Sequence, residues 1–341
     1  MMGPLPPSQD DRAIWDIWQS QYLLPLVTVA DELGTFNLLT DAAMTTGELA
    51  AALSVDARAL AIHLGALAGA GLIEKREDRW IALPAVRTWL AAQAEGYWGG
   101  FLLRFRETVP LHAQLLQTLR TGMRPEDRPL GAAEWERGTM DPEIAARIAH
   151  FMHAHSIAAA KCAAAQPVFG QVKHLMDIGC GSGVYSIELA RAHPALRVSL
   201  VDLKEMCHEA AGFVERAGLT GRIDTVPLNM FEQDWPTGAD AHFFANVFHD
   251  WSKETNRLLA RKSFDALPPG GRIFLSEVLM DDDGAGPWPA ASFSILMLMG
   301  TLGRQYSLPE FREMLESAGF RNVCAVRGGG SYYSLVSAVK P

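Results

Sequence analysis

His174-Leu175-Met176-Asp177-Ile178-Gly179-Cys180-Gly181-Ser182-Gly183-Val184-Tyr185-Ser186 decides the fold. The run reads as a short apolar strand, a turn with alternating glycines, and the opening of a helix. Apolar Ile187, Leu189 and Ala190 then recur among polar neighbours up to His193, as in a helix packed on a sheet. Glycine in a strand-to-helix turn permits positive φ and close approach of the backbone to a ligand. The helix N-terminus that follows offers unpaired N–H groups to something electron-rich.

A dinucleotide fingerprint has the spacing G-x-G-x-x-G after a purely apolar strand. Here Gly179, Gly181 and Gly183 are spaced G-x-G-x-G, and Asp177 stands two residues before the first of them. That carboxylate is expected to face the ligand, where it would repel a pyrophosphate and suit a cationic amine. A second apolar strand, Arg197 to Asp202, ends in an acid that can accept both ribose hydroxyls of a nucleoside. An amino acid joined to a ribose points to S-adenosylmethionine.

Upstream, Met1 to Ser8 holds three prolines and is expected to lack order. Apolar residues recur at helical spacing from Asp11 to Leu39, with Gly34 as a C-cap. Thr45 and Glu48 form a capping box. A helix over 58–70 and a hairpin turning at Arg76-Glu77-Asp78 follow. Helix, helix, helix, hairpin is the order of a winged helix. Its would-be recognition helix carries Arg58 and His63 among alanine, leucine and glycine, too few polar side chains to read bases. Burial against another subunit suits it better, so no nucleic-acid partner is expected. Tyr97, Trp98, Phe101, Leu102 and Phe105 cluster downstream, either as core or as a wall of an aromatic substrate pocket. Pro125 to Gly131 is a polar connection, and Asp141-Pro142-Glu143 starts another helix. The expected boundary falls near Gln166 to Gly170, giving a helical, winged-helix domain over 1–165 and a ligand-binding domain over 166–341.

Beyond that boundary strands are expected at 173–178, 197–202, 222–227, 241–247 and 272–279, with a pair at 322–327 and 332–338. Alternating strands and helices imply an α/β fold, a doubly wound, mainly parallel sheet. Ligands sit at the carboxyl ends of such strands. Asp177, Asp202, Asn229, His249 and Glu277 all fall at or just after those ends. Adjacent strands are about 5 Å apart, so His249 can pair with Glu277 across neighbouring strands. A carboxylate beside an imidazole fixes its tautomer and raises its basicity. Methyl transfer to a phenol needs loss of the phenolic proton. Moving it from a group near pKa 10 to an imidazole near 6.5 costs roughly 5 kcal/mol, which Glu277 would reduce. Asp250 either orients substrate or caps the helix that begins near Ser252.

Composition bounds the partners. The chain has 341 residues, 49% hydrophobic and 20% charged, with a net charge of −9. These are globular values, and the negative balance disfavours a phosphate backbone. No apolar run approaches the roughly 20 residues of a membrane span. No basic-then-apolar leader is visible at the N-terminus, so a membrane partner is not expected either. The cysteines, Cys162, Cys180, Cys207 and Cys324, form no C-x-x-C pair, which fits a reducing cytoplasm.

With these residues in view the chain resembles the S-adenosylmethionine-dependent O-methyltransferases of the plant caffeate and bacterial antibiotic-tailoring type. The resemblance covers nearly the whole length and rests on Asp177 to Gly183, Asp202, Asn229-Met230-Phe231, His249-Asp250-Trp251, Glu277 and Gly303 to Ser307. It implies a winged-helix dimerisation domain followed by a Rossmann-like class I methyltransferase domain, and a homodimer through interlocking N-terminal helices. It implies His249 as general base flanked by Glu277, with Met230, Phe231 and Trp251 beside the adenine. Met152 and Met297 would touch substrate and Ser156 would reach the cofactor. Leu203 and Asn246 complete the expected cofactor set; Trp98, Phe101 and Thr301 complete the substrate set. Three positions depart from the family pattern: Asn229 replaces an aspartate, Ala245 a lysine, and Gln305 a second glutamate beside the histidine.

The reading is therefore O-methylation of a small aromatic or polyketide-like hydroxyl in specialised metabolism. Its rivals are C- or N-methylation on the same fold, a relative that binds the cofactor without transferring methyl, and a ligand-responsive regulator. A metal-assisted variant would use His249 and Asp250, but no third ligand is visible and no metal site is expected.

Overall fold

The computed structural model describes residues 10–106, 108–125, 132–328 and 331–341. The expected N-terminal tract at 1–8, and the connection at 125–131 apart from its first residue, lie outside them. The described residues divide into two compact units. One holds residues 13–125 with 280–307; the other holds 10–12 and 132–279 with 308–341.

The first unit is built from helices and a small antiparallel sheet, β1 (Met44–Thr45), β2 (Ile73–Arg76) and β3 (Arg79–Ala82), in the order β1-β3-β2. It is therefore not all-helical. The long helical pattern from residue 11 breaks into Arg12–Gln19, Leu23–Leu33 and Thr35–Asp41, because Gly34 turns left-handed at φ +80° and ends the second helix. Thr45 and Glu48 exchange the reciprocal hydrogen bonds of a capping box. Helix Ala57–Gly69 buries Leu60, Leu64 and Leu67 completely and packs on helix Trp288–Gly300. Its polar residues are spent internally. Arg58 donates to the carbonyls of Leu302 and Gly303, and buried His63 meets the carbonyl of Leu26. Trp98 and Phe101 meet edge to face at 5.4 Å yet are 53% and 52% exposed, so they are not core aromatics.

The second unit holds a seven-stranded sheet in the order β6-β5-β4-β7-β8-β10-β9. Its strands are β4 (His174–Ile178), β5 (Arg197–Asp202), β6 (Ile223–Pro227), β7 (Ala241–Ala245), β8 (Arg272–Glu277), β9 (Arg321–Arg327) and β10 (Ser334–Val339). All pairs from β6 to β8 are parallel, and β10 runs antiparallel to both β8 and β9. This is the mainly parallel α/β fold read from the sequence, each strand within two residues of its expected bounds. Every residue of β8 from Ile273 to Glu277 is buried, as expected for a central strand covered on both faces. Phe274 packs against Phe169 with ring centroids 4.6 Å apart.

Helix Pro142–Ala164 is N-capped by Asp141, whose carboxylate accepts the N–H groups of Glu143 and Ile144. It packs on helices Val184–Ala192 and Lys204–Arg216 of the same unit. The division therefore does not fall at the expected 165/166 junction. The apolar face of this helix groups it with the sheet, and residues 280–307 return to the first unit by packing on Ala57–Gly69. Among the described residues no single helix is long and apolar enough to cross a membrane.

Phe274→Ala is expected to lower the stability of the sheet unit by about 3–5 kcal/mol, the cost of emptying a core aromatic site. Urea unfolding followed by far-UV circular dichroism reads the shift in the midpoint.

Candidate active site

The carboxyl ends of β4 to β8 form one rim, and a cleft of about 710 Å³ opens over it. The ends of β4, β5, β6 and β7 contribute to its wall. Leu228, Asn229, Met230 and Phe231 follow β6; Asp202 and Leu203 close β5; Gly179 and Gly181 follow β4; and Ala245, Asn246, Val247, Asp250 and Trp251 follow β7. Helix Pro142–Ala164 adds Met152 and Ile148, and the short helix Ala132–Arg137 adds Trp135. Nothing in the sequence reading singled out Ile148 or Trp135; a lone tryptophan in the polar run Ala132 to Arg137 was the only available signal.

The glycine turn shapes the middle of this wall. Gly179 has φ +71°, and a Cβ there would lie 2.7 Å from Val247 Cγ2, so only glycine lets the two strand ends close up. Gly181 has φ +57°, but a Cβ there would meet no protein atom within 4 Å. Its open side is the cleft, where a ligand can approach the backbone. Asp202 braces the turn: its Oδ2 accepts the N–H of Gly181 at 2.9 Å and its Oδ1 accepts the N–H of Leu203 at 2.7 Å. At the β6 end, Asn229 Oδ1 accepts the N–H of Phe231, and the Phe231 and Trp251 rings meet edge to face at 4.7 Å.

Asp177 lies elsewhere than expected. Its side chain is 2% exposed and is not part of the cleft wall; Oδ2 accepts a hydrogen bond from Ser186 Oγ at 2.6 Å. The helix that follows the turn folds back over β4, and its first turn brings Ser186 onto the carboxylate. Gly183, Ser156, His249 and Glu277 also lie outside the wall, while Asn246, Asp250 and Met152 are in it. Trp98, Phe101, Met297 and Thr301 belong to the first unit, as does Gln305.

His249 sits on the turn after β7, buried to 3% exposure. Its Nδ1 lies 3.0 Å from Oε2 of Glu277 and its Nε2 lies 3.7 Å from Oδ1 of Asp250. The contact with Glu277 is a close, buried charge pair. Burial by itself would lower the imidazole pKa, but Glu277 and then Asp250 outweigh it and hold it above the ordinary 6.5. Glu277 Oε1 also accepts the N–H groups of Val247 at 3.2 Å and Phe248 at 3.1 Å, so the carboxylate anchors the turn that carries the histidine.

Three aspartates gather at this rim, and among the described residues only Asp250 has a basic group, His249, beside it. Burial pushes Asp177 up to about 7 and Asp202 up to about 6, in each case against the hydrogen bonds that favour the anion. Burial likewise pushes Asp250 up to about 7, even with His249 beside it. Among the described residues those lining the cleft include two aspartates and neither lysine nor arginine. Such a wall suits a ligand with a cationic amine or sulfonium and opposes a phosphate. Backbone access at Gly181, a bracing carboxylate at Asp202 and apolar side chains at the β6 end therefore fit S-adenosylmethionine. Among the described residues no group of three or more histidine, cysteine, aspartate or glutamate side chains could hold a metal ion.

Comparison with known proteins agrees. A family model described as an O-methyltransferase domain matches residues 112–321. The chain is 34% identical to the 3-hydroxy-5-methyl-1-naphthoate 3-O-methyltransferase of Streptomyces sahachiroi over 313 residues, covering 91% of this chain and 88% of the relative. It is 27% identical to the mitomycin biosynthesis 6-O-methyltransferase of Streptomyces lavendulae, covering 91% and 89%. Among solved structures it superposes on an O-methyltransferase family 2 protein from Planctomyces limnophilus, in complex with apigenin, with a TM-score of 0.86 at 22% identity, covering 99% and 98%. That likeness carries the fold. The chain belongs to the O-methyltransferase family; it has the class I methyltransferase fold and is an S-adenosylmethionine-dependent O-methyltransferase.

Asp177 supplies a pH test in the ligand-free protein. Its pKa is raised on folding, so its protonated form stabilises the fold; that contribution is full below the unfolded value near 3.8 and is lost as pH rises through about 7. Asp177→Asn, which keeps an acceptor for Ser186, is expected to gain in melting temperature relative to the native protein as pH rises, by clearly more at pH 8 than at pH 5. Scanning calorimetry at the two pH values checks it; a difference between variant and native protein that does not change with pH contradicts the raised pKa.

Proposed function

We propose that this enzyme methylates a hydroxyl on a small aromatic or polyketide-like specialised metabolite, as in antibiotic biosynthesis, with His249 as the general base. The observation that carries the proposal is the buried His249–Glu277 pair, 3.0 Å apart, on the turn whose next residue, Asp250, lines the cleft. The relatives support the acceptor class: one is named for a hydroxynaphthoate and another for mitomycin biosynthesis.

S-adenosylmethionine, when bound, supplies an electrophilic methyl on a sulfonium sulfur. The protein's task is to orient the acceptor hydroxyl and take its proton. Nε2 of His249 receives that proton while Nδ1 stays paired with Glu277, whose negative charge stabilises the imidazolium that forms. Because this charge raises the histidine pKa above 6.5, the gap to a phenol near 10 narrows and the transfer costs less than roughly 5 kcal/mol. Asp250, 3.7 Å from Nε2, adds a second charge on the acceptor side.

For the cofactor we assign Asp202 to the ribose hydroxyls and Leu203, Asn229, Met230, Phe231 and Trp251 to the adenine. Gly179, Gly181, Asn246 and Ser156 serve the amino-acid end, with Gly183 and Asp177 supporting the turn from beneath. Met152, Trp98, Phe101, Met297 and Thr301 are assigned to the acceptor. We read the helix-helix-helix-hairpin segment as a winged helix serving dimerisation rather than nucleic acid; by role, as distinct from compact unit, a lid and dimerisation domain spans 1–165 and a catalytic domain 166–341. Ile14, Ile17 and Leu103 are apolar yet 68%, 70% and 56% exposed, which supports a second copy of this chain as the partner. The free cysteines among the described residues favour the reducing cytoplasm.

Two variants test the base. His249→Ala is expected to lower kcat by about 10²- to 10⁴-fold, the usual worth of a general base, while the affinity for S-adenosylhomocysteine stays the same. A variant keeping full turnover removes His249 from that role. In the native enzyme kcat/KM should rise with pH as His249 loses its proton, with a midpoint above 6.5. Glu277→Gln removes the charge that favours imidazolium, so this limb should move to lower pH by about one unit or more; an unmoved limb contradicts the pairing.

A further inference from the structure

Asn246 is the one non-glycine residue of the cleft wall held in the left-handed region, at φ +56°. Its N–H donates to the carbonyl of Ser276 across β8, and its side chain is 7% exposed. Oδ1 accepts a hydrogen bond from the hydroxyl of Tyr333 at 2.6 Å. Nδ2 is buried and has no hydrogen-bond partner among the described residues. A buried amide N–H left unmade costs about 1–3 kcal/mol, so this donor calls for an acceptor from outside the chain.

Its position on the rim says which acceptor. The strand order runs β6, β5, β4, β7, and successive strands are about 5 Å apart. A nucleoside with adenine against Asn229 to Phe231 and ribose on Asp202 occupies the β6 and β5 ends. The remainder of S-adenosylmethionine then extends across the glycine turn to the end of β7, where Asn246 stands about 10 Å from the end of β5. The negatively charged group at that end is a carboxylate, and the cleft wall offers it neither lysine nor arginine. Neutral N–H donors must meet it. Tyr333 is 3% exposed and immediately precedes β10, whose first residue Ser334 pairs with Glu277 of β8. The antiparallel strand thus delivers the phenol beneath the β7 turn, far in sequence from the residues it serves.

We propose that Tyr333 is a positioning residue: by holding Oδ1 of Asn246 it turns the carboxamide so that Nδ2 donates to the methionyl carboxylate of S-adenosylmethionine. The inference rests on the assignment of adenosine to Asp202 and the β6 end.

Titration calorimetry of the full chain with two probes tests it. S-adenosylhomocysteine carries the amino-acid end; 5′-methylthioadenosine lacks it. Asn246→Gly, which suits the left-handed backbone, is expected to weaken S-adenosylhomocysteine about ten- to a hundredfold, the worth of a hydrogen bond to a charged group. It should change 5′-methylthioadenosine by less than about threefold. Tyr333→Phe should weaken S-adenosylhomocysteine about three- to tenfold with the same selectivity, and the double variant should bind no more weakly than Asn246→Gly alone. Equal losses on both probes, or losses that add in the double variant, overturn the proposal, because a merely structural tyrosine would behave so. Asp202→Ala is the separate control: it should weaken both probes alike. If it leaves both unchanged, the underlying placement of adenosine fails, whatever the Tyr333 variant does.

Discussion

A carboxylate with no solvent exposure fixes the reactive end of this protein. Glu277, the last residue of β8, accepts two backbone N–H groups through one oxygen and faces the His249 imidazole with the other. Removing a carboxylate from water costs several kcal/mol unless it is compensated, and here Oε1 accepts two backbone N–H groups while Oε2 faces the imidazole at ion-pair distance. The consequence is geometric. The turn after β7, which carries Asn246, Asp250 and Trp251 into the cleft, is pinned to the neighbouring strand by the same group that tunes the histidine.

The opposite imbalance governs the rest of the rim. Asp177 is buried, and Asp202 and Asp250 are half-buried, among strand ends and hydrogen-bond donors that do not fully compensate their charge, so each is pushed towards its neutral form. A protein keeps such a cluster at some cost to its ligand-free stability. A ligand bearing an ammonium and a sulfonium relieves that cost on binding. The chemistry that attracts the cofactor and the chemistry that tensions the empty fold are therefore the same electrostatic fact. Among the described residues the cleft wall holds neither lysine nor arginine, which leaves backbone and amide N–H groups to meet a carboxylate that enters.

Division of labour follows from topology. The parallel strands β4 to β8 present their carboxyl ends on one edge, where turns are free to carry polar groups. The antiparallel β10 adds no turn to that edge in the usual sense; it brings a side chain up from its N-terminal end instead, and Tyr333 is the result. A second phenol, Tyr185 from the helix after the glycine turn, meets Ser276 of β8 at 3.2 Å. One tyrosine thus meets β8 and the other the turn after β7.

The glycine turn, the strand bounds, Gly34 as a helix stop and the capping box at Thr45 were legible in the chain itself. Each depends on residues within a few positions of one another, where periodicity and backbone sterics act directly. The rim was legible too, because parallel strands with helical crossovers leave only one edge for turn residues. Tertiary packing decided what no local rule contains. It drew Asp177 onto Ser186 and out of the cleft, since the helix returns over its own strand. It brought Trp135 and Ile148 into the wall, and it set the unit boundary by the face that helix Pro142–Ala164 buries rather than by a break in composition. It joined Tyr333 to Asn246 across 87 positions of sequence. Sequence spacing determines which side chains stand at strand ends; the order of strands and the packing of helices decide which of them meet.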